Sequence, residues 1–207
     1  MSITISDGSA SFGLRMPLDS FSPLLQSFIY RYPTTSEIEG LGQKLAQADF
    51  PVEETRQFVR RVYEWGGYPG IGGRILKNNP IEAICQTLRD SLRTLLTEAS
   101  TVKALTQVNA LRGLGSPSFA SKHLRFLKPD LCPVLDSILH DVLPYAFNPD
   151  GYSEFCGDCG LLAEALLERG VRNPVVRPDG RWFAADVEAA LYEFATRYEF
   201  ATAEEAH

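Results

Sequence analysis

Long apolar runs, a disulfide set and an excess of positive charge are all missing from this sequence, and each absence removes a class of protein. No stretch of the 207 residues approaches the roughly 20 consecutive apolar residues that cross a bilayer. The polar opening MSITISDGSAS has neither the basic nor the apolar region of a secretory signal. A cytoplasmic protein without a membrane partner is therefore expected. Four cysteines are too few for a disulfide framework in a chain of this size. Cys85 and Cys132 stand alone in apolar surroundings, where free thiols are commonly buried. Cys156 and Cys159 form a CxxC in EFCGDCG. A structural zinc would need two more ligands at short spacing, and His123 and His140 precede the pair with the wrong rhythm. The pair reads instead as two small residues packing the start of a helix, and no metal is assigned.

The formal net charge of -6 excludes a protein that coats nucleic acid nonspecifically, because neutralising phosphates takes lysine and arginine. The distribution of charge narrows that exclusion. Between Glu98 and Asp130 there is no acid, while Lys103, Arg112, Lys122, Arg125 and Lys128 are all basic. Beyond residue 150 the balance reverses, with Glu154, Asp158, Glu164, Glu168, Asp186, Glu188, Glu193 and Glu199. A basic stretch in an acidic chain can still meet a phosphate backbone, although a solvated helix face explains the same charges equally well.

What the sequence does contain is helical periodicity. The apolar share of 44% and charged share of 22% are those of a folded globule. SFSPLLQSFIYRY places Phe21, Leu24, Leu25 and Phe28 on one side and stops at Pro33, which lacks the donor a helix needs. EETRQFVRRVYEWGG repeats the pattern through Phe58, Val62 and Trp65, with acids at its start and glycines after its end. PIEAICQTLRDSLRTLL opens on Pro80 and sets Ile81, Ile84, Leu88, Leu92 and Leu95 on a single stripe. TVKALTQVNALRG follows, with Gly113 where a left-handed cap would sit. GYSEFCGDCGLLAEALLERG and DVEAALYEFATRYEF supply two later helices, and NPVVRPDGRWFAA between them reads as a short hairpin or loop. The expectation is one mainly α domain over residues 1–207 with little or no sheet, its first 50 residues a helical segment to which no role is assigned.

One run concentrates chemistry-bearing residues: GLGSPSFASKHLRFLKPDLCPVLDSIL, residues 113–139. Residues 101–127 read as two helices joined by the tight turn LRGLGS. Gly113 and Gly115 would let backbone amides approach an anion, with Ser116 capping the second helix and Pro117 in its first position. A helix start of that kind is a ready phosphate site, though such turns are often mere caps. KPDLCPVLDSIL then breaks the helix at Pro129 and Pro133 and restarts one at Asp136. As an N-cap, Asp136 contributes about 1 kcal/mol and needs no catalysis to explain it. Lys122 by itself reads as an exposed lysine on a helix whose other faces carry Phe119, Leu124 and Phe126.

Taken together, LRGLGSPSFASKHLRFLKPDLCPVLDSIL resembles the helix-hairpin-helix, Gly/Pro-rich loop and aspartate of the DNA glycosylase superfamily, closest to its bacterial branch related to 8-oxoguanine glycosylases. WGGYPGIGGRI at 65–75 and RWFAADVEAALYEF at 181–194 are similar to segments of that branch, so the resemblance runs from about residue 50 to the end. It implies two helical lobes of the HhH-GPD type, with the hairpin and catalytic loop, residues 101–142, at the cleft. It implies Asp136 as the catalytic carboxylate, and Gly113, Gly115, Ser116, Arg112 and Arg125 as the grip on the DNA backbone, with no cofactor beyond a monovalent cation at the hairpin. The family's lysine lies just after the glycine turn, where this sequence has Ser116, Pro117 and Ser118. Either Lys122 takes over from a shifted position or water attacks and no strand cleavage follows.

The implied activity is excision of a modified base from double-stranded DNA by a monomer. The target is oxidised guanine in repair, or a bulky cytosine such as glucosyl-hydroxymethylcytosine in defence against phage. An extruded base needs aromatic walls, for which Trp65, Tyr68, Trp182 and Phe183 are candidates, although large aromatics more often fill interiors. The four-cysteine iron-sulfur cluster of some relatives is not expected, since only Cys156 and Cys159 follow Asp136. A binding module that keeps the hairpin without catalysis is the alternative, and a helical scaffold that does not bind DNA the third reading.

Overall fold

The computed structural model describes residues 3–12, 15–67, 69–114 and 117–204, with backbone alone for residues 69 and 198–204. The fold is mainly α, with ten α-helices among these residues and one small sheet. The sheet corrects the reading of residues 1–50 as helical. Strands β1 (Thr4–Ser6), β2 (Ser9–Ser11) and β3 (Arg15–Pro17) form an antiparallel meander in which Ala10 faces Ile5 on one side and Met16 on the other. The β1–β2 turn is Asp7-Gly8, with φ of 49° and 72°. Positive φ at both central residues makes a two-residue turn whose twist matches its strands. Ala10, Phe12 and Met16 are buried, so this sheet is a cover over the helical core.

Helix α1 (Phe21–Arg31) buries its Phe21, Leu24, Leu25 and Phe28 stripe and packs against α10 (Ala184–Glu204). Helix α2 (Thr35–Gln47) approaches α7 (Pro117–Leu127) so closely that a Cβ on Gly42 would lie 2.0 Å from the Phe126 carbonyl oxygen. Only glycine allows that contact. Helices α3 (Val52–Trp65), α4 (Pro69–Asn78) and α5 (Ile81–Glu98) follow, the last ending on Ala99 in a left-handed conformation. Helix α6 (Thr101–Asn109) is capped by Ser100, whose hydroxyl accepts from the Lys103 amide. Helices α6 and α7 pack on one another as the two arms expected around the glycine turn, and Gly113 within it has φ of 95°. Gly115 and Ser116 lie outside the described residues.

Helix α8 (Ser137–Val142) starts at Asp136 and α9 (Pro149–Glu168) at Asn148, whose side chain accepts from the Gly151 amide. Cys156 and Cys159 sit buried in the middle of α9 and not at its start, because the helix begins seven residues before Cys156 and carries both on its inner face. Before α10, the PDG of residues 178–180 forms a single 3-10 turn within a loop. The buried apolar residues make one connected cluster from Ile3 to Ala195. Among the described residues no helix is long and apolar enough to cross a membrane.

Burial dissolves the basic stretch. Lys103 pairs with Glu98 and Lys128 with Asp130. Lys122 and Arg125 are 5% and 1% exposed, and Arg112 is left at the surface. Arg125 therefore cannot hold a DNA phosphate, which corrects that expectation. Its Nη1 donates to Glu39 Oε1 at 3.1 Å, and Arg177 donates to both Glu39 oxygens and both Asp186 oxygens. Burial alone would lower the Arg177 guanidinium, but its hydrogen bonds to Asp186 and Glu39 hold it above its ordinary value. Several of the acids that reverse the charge balance beyond residue 150, Asp158, Asp186, Glu188 and Glu193, are likewise interior.

Candidate active site

A cavity of about 370 Å³ opens where α1, α3, α7, α8 and α10 converge. Its walls are Phe28, Tyr32, Trp65, Phe119, Phe147 and Tyr192, and its polar groups include Lys122, Asp136 and Glu188. An aromatic lining with a few convergent charges in a volume of this size is the usual form of a small-ligand site.

Lys122 reaches the cavity from α7. Its Nζ donates to Ser118 Oγ at 3.1 Å and lies 5.3 Å from the centre of the Phe119 ring. A buried ammonium loses hydration that one hydroxyl and a ring face do not replace. Burial accordingly holds the amine below the usual lysine range, against the charges of Asp136 and Glu188, which pull it back up. The exposed lysine that periodicity alone suggests is thus an interior one, because α7 is buried on nearly every face.

Asp136 comes from the loop after α7 and does two things at once. Its backbone is extended, with φ of -107°, and its Oδ1 accepts from the Leu139 amide at 3.1 Å, closing the first turn of α8. A carboxylate has a second oxygen, so capping does not consume the group, and Asp136 also lines the cavity. The loop that presents it is pinned along its length. Ala185 donates to the Pro129 carbonyl at 3.0 Å, Tyr152 Oη to the Pro133 carbonyl at 3.1 Å and the Leu135 amide to Ser121 Oγ at 3.3 Å.

The other predicted site residues divide. Trp65 is in the cavity wall, its Nε1 donating to Thr35 Oγ1 at 2.9 Å. Trp182 is not: it is 4% exposed and donates from Nε1 to the Val171 carbonyl at 2.9 Å, with its ring edge-on to Phe21. Phe183 lies under the Arg177 guanidinium, 4.4 Å from it, and is likewise absent from the cavity wall. Both belong to the packing around α10, which corrects their assignment to the base pocket. Tyr68 lies outside the described residues.

At the hairpin, Asn79 clasps the turn from the end of α4. Its Oδ1 accepts from the Arg112 amide and its Nδ2 donates to the Arg112 carbonyl, both at 3.0 Å. That amide is consequently not available to an anion. The Arg112 side chain and Gly113 are exposed. The cation that the resemblance implies would use carbonyls of this turn, of which Arg112 accepts from Asn79 and Leu111 from the Leu114 amide. Among the described residues, no group of three or more His, Cys, Asp or Glu side chains could hold a metal ion.

Sequence reading missed Tyr32, Phe147, Tyr192 and Glu188. Tyr32 and Tyr192 stand with hydroxyls 3.2 Å apart though 160 residues separate them. Glu188 is one of many acids in the last third of the sequence, yet it is 2% exposed, and burial pushes its carboxyl up to about 7. No protein-family model matches the chain, and no significant match was found among curated proteins or solved structures.

His123, next to Lys122, carries a pH prediction. Its Nδ1 donates to the Phe119 carbonyl at 2.8 Å, Nε2 has no partner, and burial pushes the ring down to about 4 from 6.5. The unfolded chain therefore binds this proton at a higher pH than the folded one. The stability this difference provides is present above pH 6.5 and is lost as pH falls through about 4. The expected loss is roughly 3 kcal/mol. Urea midpoints measured across that range should fall in the native protein and fall less in His123→Asn.

Proposed function

We propose that this chain is a DNA glycosylase of the helix-hairpin-helix superfamily, cleaving the N-glycosidic bond of a modified base turned out of duplex DNA. The observation that carries this reading is that Lys122 and Asp136 line one aromatic-walled cavity. A base inside the stack is unreachable, so it must rotate into a pocket at a cost of a few kcal/mol. Phe119, Trp65, Phe147 and the two tyrosines offer ring faces to receive it. As the bond from sugar to base breaks, positive charge grows on the sugar, and a carboxylate fixed in a dry site stabilises that charge better than water does. Asp136 supplies the carboxylate. Lys122 supplies the nucleophile, because burial favours the neutral amine that attack requires. The exposed Gly113 turn and Arg112 supply the grip on the backbone.

Two substrates fit this reading: oxidised guanine, in repair, and a bulky cytosine such as glucosyl-hydroxymethylcytosine, in phage defence. The acidic balance favours defence, since an enzyme that scans a whole genome gains from a basic face. Incubation with an oxidised-guanine duplex and, separately, with viral DNA carrying glucosylated cytosine, followed by detection of abasic sites, separates the two. Borohydride added during turnover is expected to trap a covalent protein–DNA adduct, and Lys122→Met is expected to trap none. Abasic sites without an adduct would assign the attack to water. DNA binding without abasic sites on either substrate would leave a non-catalytic module.

A further inference from the structure

The charged side chains behind and beside the cavity do not balance. In their ordinary charge states Lys122, Arg125 and Arg177 are cations, and Glu39, Asp136, Asp186 and Glu188 are carboxylates. All but Asp136 have side chains more than nine-tenths buried. Three cations against four carboxylates leave one negative charge in excess, and a buried unpaired charge is costly enough that the cluster favours taking up a proton.

Hydrogen bonding shows where that proton belongs. Glu39 accepts from Arg125 and twice from Arg177. Asp186 accepts from Arg177, Asn173 and the Phe183 amide. Asp136 accepts from the Leu139 amide and is partly exposed. Of the three buried carboxylates Glu188 has the fewest hydrogen bonds, with the Val134 amide as its donor. Its Oε2 stands 3.5 Å from Arg125 Nε, and neither atom has a hydrogen-bond partner.

We propose that, within the glycosylase reading above, Glu188 in its ionised form is the proton acceptor for Lys122 across the cavity that both line, taking the ammonium proton so that the amine attacks neutral while Asp136 is left to the sugar. One N–H bond of Lys122 breaks, one O–H bond forms on Glu188, and the net charge of the cluster is unchanged. Glu188 acts through Lys122 and is a positioning residue. The groups facing it are Lys122 and Arg125 from α7, Asp136 and the Val134 amide from the loop, and from α9 Cys159, a thiol that burial keeps protonated. Glu39 on α2 reaches it through Arg125. The directions agree: burial raises the Glu188 carboxyl to about 7 and lowers the Lys122 amine, so two groups far apart in water approach one another here.

The test needs no DNA at first. The chain has five lysines, so in lysine-labelled protein the Lys122 side-chain resonance can be assigned by comparison with Lys122→Met and followed with pH by NMR. It should show a step near pH 7 that reports Glu188, absent in Glu188→Gln and displaced in Glu188→Asp. A Lys122 signal that titrates identically in all three proteins overturns the proposal. If the Gln variant does not fold, an undisplaced step in Glu188→Asp overturns it equally.

With substrate, the rate of borohydride trapping should rise through pH 7 in the native protein. In Glu188→Gln that rise should disappear, with trapping at pH 8 slowed by roughly 10²-fold. An unchanged profile counts against the proposal. Adducts absent from every DNA despite a linked titration would instead sink the glycosylase reading and leave the proton exchange standing.

Discussion

Asparagine at position 136 is expected to stop base release while leaving the fold and the affinity for duplex in place. Asparagine is as good an N-cap as aspartate, so its side-chain oxygen keeps the bond from the Leu139 amide, 3.1 Å long in the native protein. What disappears is the negative charge that would face the sugar. Removing a single preorganised electrostatic contact of this kind typically slows chemistry by about 10²–10³-fold. Single-turnover formation of abasic sites should fall by that factor, with thermal midpoint and duplex affinity by fluorescence anisotropy near the native values. Asp136→Ala should lose the same activity and, in addition, about 1 kcal/mol of stability from the missing cap. Activity within a few-fold of native in the asparagine variant would leave Asp136 a helix cap and nothing more.

The contrast between Asp136 and Glu188 shows how far the residues alone could be read. Asp136 is legible because it sits at an element boundary, between a proline-broken loop and an apolar restart, and boundaries are fixed by local chemistry. Helices α1, α3 and α5 are legible for a related reason, their stripes recurring at helical spacing over several turns. Helices α2 and α4 are not, since Gly40 and Gly42 interrupt one and three glycines open the other. The small sheet escapes because strands of three residues are too short to show alternation.

Glu188 is illegible from sequence because nothing local separates a buried acid from a solvated one. Its burial depends on Arg125 and Glu39, which arrive from other helices. Trp182 shows the converse error. An aromatic side chain fits a base pocket as well as a core from sequence alone, but the loop folds the Trp182 ring inward against Phe21.

Alanine at position 39 should have the largest effect on stability of any single change in the buried cluster, about 3–5 kcal/mol. Among the described residues, Glu39 is the only carboxylate shared by two buried guanidinium groups: Oε1 accepts from Arg125 at 3.1 Å, and Oε2 from Arg177 at 2.7 Å. Its removal leaves Arg125, 1% exposed, with the more distant oxygen of Glu188 as its counter-charge among the described residues. The cost arises from that stranded cation more than from lost attraction, because a well-made buried pair gains little net energy over an apolar substitute. Replacing the pair together, as Glu39→Met with Arg125→Met, should therefore recover much of the loss, which urea unfolding of both variants can measure.

The same experiment bears on the site. Arg125 freed from Glu39 is left with Glu188 as its nearest carboxylate, so in Glu39→Ala the Glu188 proton should be released at a lower pH than in the native protein. Were Arg125 instead a contact to the DNA backbone, its substitution would lower the salt dependence of binding and leave stability nearly unchanged. The buried geometry of the Glu39–Arg125–Glu188 line predicts the opposite result on both counts.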